Sequence, residues 1–299
     1  MLVEVCCSET SKLSERRESS AGCLTLRVTA RHDLREVSTI KRVVKAVNEF
    51  RWHHPQGKLL VYASLPCTGG SPWGHVNKGL GDGTKHIEQH QRLFIQLQNA
   101  LIRLVESVRD ENTFLAYELS SRCEYWNWKC VRDMIGWYGL SRHRFHGCQL
   151  GLTNEHGQPM LKGWAVVTDV PSLSILDSYR CDRTHTHAQS RGKALKSAET
   201  YTYEYTDLVH KCFSQEIASG AMAAPVLLAE WDDEREIAEN SAAWDDALKS
   251  LFVAMNWMEL GNTETTKQFV RGMMNDFRIE GCTAATRDQT WPKSSWTGS

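Results

Sequence analysis

Short apolar runs alternate with helical stripes from the first residues to about position 217, and that order restricts the chain to few architectures. LVEVC (2–6) is a buried strand, and CLTLRVT (23–29) is a second by its β-branched content. Between Ser38 and Trp52, the residues Ile40, Val43, Val44, Val47 and Phe50 recur at helical spacing, with Ser38 or Thr39 placed to cap the helix. LLVYAS (59–64) is a third strand. Across His86 to Val108, Ile87, Phe94, Leu97, Leu101, Leu104, Val105 and Val108 form one apolar stripe. TFLAYEL (113–119) follows as a strand and Glu124 to Tyr138 as a helix. HRFHGCQLGL (143–152) and KGWAVVTD (162–169) are strands joined through a turn at Asn154 to Pro159, and VPSLSILDSY opens a short helix. Tyr201 to Ile217 is helical. Strand, helix, strand, helix and a closing hairpin is the order of an α/β chain: a Rossmann-like doubly wound sheet, mostly parallel, with an antiparallel edge hairpin. The expected division is a domain over 1–217 and a helical extension over 218–299. The extension is acidic: Glu230 to Asp246 holds eight acids against Arg235 alone. After Gly281 the chain is polar and is expected to be loose.

Composition narrows the setting. Apolar residues make up 41% and charged residues 24% of the 299, as in a soluble globular protein. No apolar run reaches the ~18 residues that span a bilayer. The opening MLVEVCCSETSKLSERRESS has early acids and no positive leader region, so a cytoplasmic or nuclear setting is expected. Ten cysteines in a chain this long are not a disulfide framework and are expected to be mostly reduced and buried. A net charge of −1 exerts no global pull on nucleic acid. Locally, Arg180, Arg183, Arg191 and Lys193 outnumber Asp177 and Asp182, a basic face able to meet phosphate. The eleven tryptophans are expected mainly in helix packing and the core, with base stacking as the other use.

The chemistry concentrates at Lys58 to Trp73, KLLVYASLPCTGGSPW. A buried strand stops at Pro66-Cys67 and opens into a loop of small residues. That places one thiol at the carboxyl edge of a sheet, where open α/β folds bind their ligands. Taking the strands in order puts Glu4, Asp33, Cys67 and Glu118 on or near that edge. A thiol and a carboxylate beside a small-residue loop suit covalent catalysis. Cys67 otherwise is a small residue in a turn, and Glu118 otherwise caps the following helix with Ser120 or Ser121. A free thiol has a pKa of ~8.5, so a nucleophilic Cys67 needs a helix dipole or a cation; Lys78, Lys85 and His75 precede or open the next helix. Glu4 inside an apolar strand is costly if unpaired, so a ligand hydroxyl or a cation is expected to meet it.

The order of these motifs resembles the carbon-5 cytosine DNA methyltransferases over roughly residues 1–170, as a divergent, compact relative of mobile-element or viral type. The resemblance implies S-adenosylmethionine as cofactor and DNA as partner. It implies Cys67, after Pro66, as the nucleophile and Glu118 as the acid that holds the base. It puts Glu4, Cys7, Ser8, Ser11, Asp33 and Pro66 on the cofactor side. Contact with DNA falls to Arg183, Arg191, Lys193 and Trp73. Against the family pattern, Cys7-Ser8-Glu9-Thr10-Ser11 has no glycine, Thr68 follows the Pro-Cys, Leu119-Ser120 follows Glu118, and no Gln-x-Arg-x-Arg motif is found. One strand–helix unit is missing between Thr29 and Leu59. These departures keep a second reading open: a methyltransferase-like module without turnover, serving as a scaffold in a larger polyprotein or as a nucleic-acid binder.

A separate cluster is Cys181-Asp-Arg-Thr-His185-Thr-His187. It has the ligand types for zinc, but not the spacing of a standard finger, and a fourth ligand would come from afar, from Cys148 or His146. A phosphate-facing histidine cluster and an ordinary surface loop are the other readings, and no metal is assigned from sequence.

Overall fold

The computed structural model of the chain describes residues 1–72, 83–188 and 199–218. Trp73, His75, Lys78, Arg191, Lys193 and nearly all of the expected 218–299 extension lie outside the described residues. The strands are β1 (Leu2–Cys7), β2 (Thr25–Thr29), β3 (Leu59–Ala63), β4 (Thr113–Ser120), β5 (Ser141–His146) and β6 (Gly163–Thr168). The helices are α1 (Val37–His53), α2 (Gly83–Val108), α3 (Lys129–Tyr138) and α4 (Tyr203–Ala218). The six strands form one sheet in the order β2-β1-β3-β4-β6-β5. β2, β1, β3 and β4 run parallel, and β6 is antiparallel to both β4 and β5. This is the expected Rossmann-like doubly wound α/β sheet with an antiparallel hairpin at one edge.

Strand alternation divides the core in two. Val3 and Val5, Leu59, Val61 and Ala63, Leu115, Tyr117 and Leu119, and Ala165 and Val167 pack against the apolar stripes of α1, α2 and α3. Leu2, Leu60 and Tyr62, Ala116, Trp164 and Val166 face the other way, against α4 and the 3-10 segment Pro171–Ser178. β3 is buried on both faces throughout, which is why it carries a continuous apolar run. α3 ends at Gly139, whose φ of 64° lets its N–H close back on Ile135 and Gly136.

The hairpin docks on β4 through β6, and one acid holds it there. Asp169, just past β6, accepts from the Leu115 amide at 2.7 Å and pairs with Arg109 at 3.2 Å. β5 therefore runs parallel to β4, and the ends of β1, β2, β3, β4 and β5 share one carboxyl edge. Among the described residues, no helix is long and apolar enough to cross a membrane.

Several boundaries differ from the sequence expectation. The strand expected to run to 152 ends at His146, because Gly147–Leu150 folds into a 3-10 turn closed by Gly151 at φ 74°. The helix expected from Glu124 begins at Lys129, because Glu124–Asn127 is a separate 3-10 turn that drives Tyr125 and Trp126 into the core.

Candidate functional site

β3 ends at Ala63, and the chain passes over the carboxyl edge through buried Leu65 and exposed Pro66 to half-buried Cys67. Thr68–Gly70 then makes one 3-10 turn. Both glycines are required by close approach. A Cβ on Gly69 would lie 2.5 Å from the Tyr125 hydroxyl, and one on Gly70 would lie 2.7 Å from Tyr125 Cδ1 and 2.8 Å from Cys123 Sγ. The Gln91 amide on α2 holds the Gly69 carbonyl at 3.2 Å. The small-residue run after Pro-Cys thus seats the turn directly on α2 and on the segment that follows β4.

That seating brings a second thiol to Cys67. A hydrogen bond from Cys123 pulls the Cys67 thiol down to about 7, against burial and the negative charge of Glu118. A backbone hydrogen bond at Ser120 and the positive charge of Lys162 act in the same direction as Cys123. Cys123 itself is pushed far up, first by its bond to Cys67 and then by burial. The pair therefore releases one proton readily and keeps the other. Beside these thiols, Tyr117 and Tyr125 keep buried hydroxyls that have no hydrogen-bond partner among the described residues.

Glu118 lies on β4 between Tyr117 and Leu119, so its side chain takes the face opposite theirs. It is buried, and burial raises its pKa; the charge of Lys162 and hydrogen bonds from Ser64 and Tyr201 partly offset that. Ser64 donates to one carboxylate oxygen at 2.7 Å and Tyr201 donates to the same atom at 3.0 Å. Glu118 thus does not cap the next helix. Ser64 is the link between the acid and the Pro-Cys loop, and Tyr201 closes the site from the α4 side, where Tyr62 and Tyr205 share a 2.5 Å hydrogen bond.

The residues on the expected cofactor side divide into two groups. Glu4 and Ser11 are buried and bonded to each other: Glu4 accepts from Ser11 and from Ser14, each at 2.5 Å, with Arg27 adding a favourable charge. The acid in the first strand is therefore met by the chain's own hydroxyls, and it braces the loop that leaves β1. Cys7 turns its thiol toward the Glu4 and Val28 carbonyls, and burial holds that thiol up. Ser8 and Pro66, by contrast, are exposed at the carboxyl edge. Asp33, half-exposed after β2, is held below the usual carboxylate range by Arg35, which grips both its oxygens. Where the expected glycines are missing, Cys6 adopts φ 59° at an irregularity between Val5 and Cys7. A non-glycine residue held in the left-handed region costs of the order of 1 kcal/mol or more and persists only where surroundings enforce it. The turned loop and exposed Ser8 stand at the end of β1 and half-exposed Asp33 follows β2, two adjacent strand ends. Glu4, Cys7 and Ser11 act as internal support for that loop.

Cys67 and Glu118 were legible from their places at strand ends. Cys123, Ser64, Tyr201 and Lys162 were not singled out. The sequence offers Lys78, Lys85 and His75 as cations, of which His75 and Lys78 lie outside the described residues; among the described residues, Lys162, just before β6, acts on both Cys67 and Glu118. Of the basic residues offered to nucleic acid, Arg183 is exposed, with φ 65°. Comparison with known proteins finds no matching family model, no matching curated protein and no matching solved structure.

Proposed function

We propose that this chain transfers a methyl group to carbon 5 of cytosine in DNA, with S-adenosylmethionine as the donor. One observation carries the reading: a thiol lowered to about 7 at a Pro-Cys turn feels the charge of a buried carboxyl near the end of the neighbouring strand, itself raised by burial. Carbon 6 of cytosine is a weak electrophile and calls for a thiolate. At neutral pH the Cys67–Cys123 pair supplies one. As the Cys67 sulfur bonds to carbon 6, negative charge builds on the ring. Glu118, whose pKa burial raises, donates a proton to ring nitrogen 3 and relieves it. Ser64 and Tyr201 both donate to the same Glu118 oxygen and hold the carboxyl in place. When bound, S-adenosylmethionine would supply its sulfonium methyl to carbon 5 and leave as the thioether, and loss of the carbon-5 proton would then expel the Cys67 thiolate and restore the ring. Exposed Ser8 and Pro66 and half-exposed Asp33 are the residues placed to hold it, with Cys7, Ser11 and Glu4 bracing the loop. The target base leaves the duplex to reach the edge, with Trp73, Arg183, Arg191 and Lys193 proposed on the nucleic-acid side.

The test is transfer of labelled methyl from the cofactor to cytosine-containing DNA. Wild type is expected to label the DNA and Cys67→Ser to leave it at background; equal labelling by the two would sink the reading. The second reading is a methyltransferase-like scaffold or nucleic-acid-binding module without turnover. The internal pairing of Glu4 with Ser11 and Ser14, and of Asp33 with Arg35, favours it. Calorimetry with S-adenosylmethionine separates the two, because a scaffold is expected to give no heat of binding.

A further inference from the structure

The corner after β5 brings together four side chains that the proposed chemistry does not use. Cys148, Cys181, His185 and His187 each offer one ligand atom, and those four atoms lie within 4.8 Å of one another. We propose that they bind a single zinc ion, which clamps the 180–188 segment to the carboxyl end of β5.

The distances are those of a tetrahedral site. With Zn–S of about 2.3 Å and Zn–N of about 2.05 Å, a regular tetrahedron puts sulfur and nitrogen about 3.6 Å apart. Cys181 Sγ lies 3.4 Å from His187 Nε2 and 3.8 Å from His185 Nε2. Cys148 joins from another part of the chain, with its Sγ within 4.8 Å of the other three ligand atoms. Two thiols and two imidazoles turned inward leave few protons for their lone pairs. Two thiolates and two neutral imidazoles around a divalent cation satisfy all four and leave no net charge.

The backbone around the site is built to hold this geometry. Arg183 takes φ 65° and directs its N–H to Cys181 Sγ at 3.2 Å, a bond that stabilises a thiolate. Asp182 ties off the turn by accepting from the Thr184 amide and hydroxyl at 3.0 and 2.8 Å. The Cys181 amide donates to His146 Nδ1 at 2.8 Å, so His146, the other distant ligand considered from sequence, supports the turn from outside the cluster. Cys148 sits in the turn Gly147–Leu150, and a Cβ at Gly147 would meet Leu152 Cδ2 at 2.6 Å. The Gly147 N–H also holds the Lys162 carbonyl at 2.8 Å. The clamp therefore lies on the carboxyl edge and fixes the turn that carries exposed Arg183.

The test uses the full chain, prepared without a histidine tag, and measures metal by mass spectrometry. The expected result is about one zinc per chain, falling below about 0.2 in Cys181→Ser and His187→Ala and unchanged in Cys130→Ser. Because a ligand variant can fail to fold, wild type is also loaded with cobalt(II) in place of zinc. The expected spectrum has the visible bands of a tetrahedral ion and a thiolate-to-cobalt charge-transfer band in the near ultraviolet. Wild type with less than about 0.2 zinc and an octahedral cobalt spectrum overturns the proposal. So does zinc that stays undiminished in both cysteine variants, Cys148→Ser and Cys181→Ser, or a Cys148–Cys181 disulfide in freshly prepared, metal-free wild type.

Discussion

Cys67 acquires its character from a neighbour 56 positions along the chain, not from its own loop. The Cys123 thiol donates to it and lowers it to about 7. Without that donor, burial and the charge of Glu118 push the Cys67 pKa up and outweigh the smaller lowering by the Ser120 backbone and Lys162. Cys123→Ala is therefore predicted to move the alkylation midpoint of Cys67 from about 7 to above the ~8.5 of a free thiol, slowing iodoacetamide at pH 7 by roughly tenfold or more. An unchanged rate in the variant would mean that the thiol pair does not tune Cys67. Glu118 carries the opposite sign of shift. Its folded pKa is raised by burial, so above its unfolded pKa the folded state binds more proton than the unfolded chain. Its effect is to make stability fall as pH rises through that range. Glu118→Gln removes this cost and keeps an oxygen for Ser64 and Tyr201. It is predicted to hold or raise Tm by about 2–4 °C at pH 7 while cutting methyl transfer about a hundredfold or more, read by calorimetry and label transfer side by side. Cys67 and Glu118 were legible because strand ends can be counted along the chain. Tyr201, 83 positions from Glu118, and Cys123 were not, because no local spacing links them to the site.

The Pro-Cys turn shows which parts of an element a sequence can reveal. Gly69 and Gly70 marked a loop, but their role depends on what presses on them. Gly70 meets Tyr125 and Cys123 at separations that a Cβ would reduce to 2.7 and 2.8 Å. Gly70→Ala must therefore lift the turn off the segment after β4, at a cost of about 1–3 kcal/mol. It is predicted to raise the alkylation midpoint of Cys67 just as Cys123→Ala does, with the helical circular dichroism unchanged. Retention of the midpoint at about 7 would show that the turn tolerates the methyl group without moving. α1 and α2 matched their apolar stripes almost to the residue, since amphipathic spacing over many turns is a strong signal. The short elements are harder. The short helix expected after Val170 is present as the 3-10 helix Pro171–Ser178, but Glu124–Asn127 is a separate 3-10 turn and not the start of α3, because Tyr125 and Trp126 reach the core from it, a spacing that composition alone does not separate from an α-helix.

At the scale of the whole molecule, the alternation of elements implied a doubly wound sheet, but not which hairpin strand would meet β4. Asp169 decides that by accepting the Leu115 amide, a contact between distant positions. The two-faced core also makes α4 structural rather than peripheral. Tyr205 is buried against Phe145 and Trp164 with ring centroids at 5.1 and 5.7 Å, and its hydroxyl meets that of Tyr62. Phe213, two turns on, packs against Phe114 at 6.4 Å. Truncating a buried aromatic costs about 3–5 kcal/mol, and different neighbours make the two losses nearly additive. Their sum, about 6–10 kcal/mol, rivals the 5–15 kcal/mol that holds a typical domain together. Each single variant, Tyr205→Ala or Phe213→Ala, is thus predicted to stay folded with a lowered urea midpoint. The double variant is predicted to lose its cooperative transition and bind a hydrophobic dye in buffer alone. A double variant no weaker than either single would mean that α4 does not cover this face of the sheet. Tyr201, which enters α4 two residues before its first turn, would then lose its anchor on Glu118.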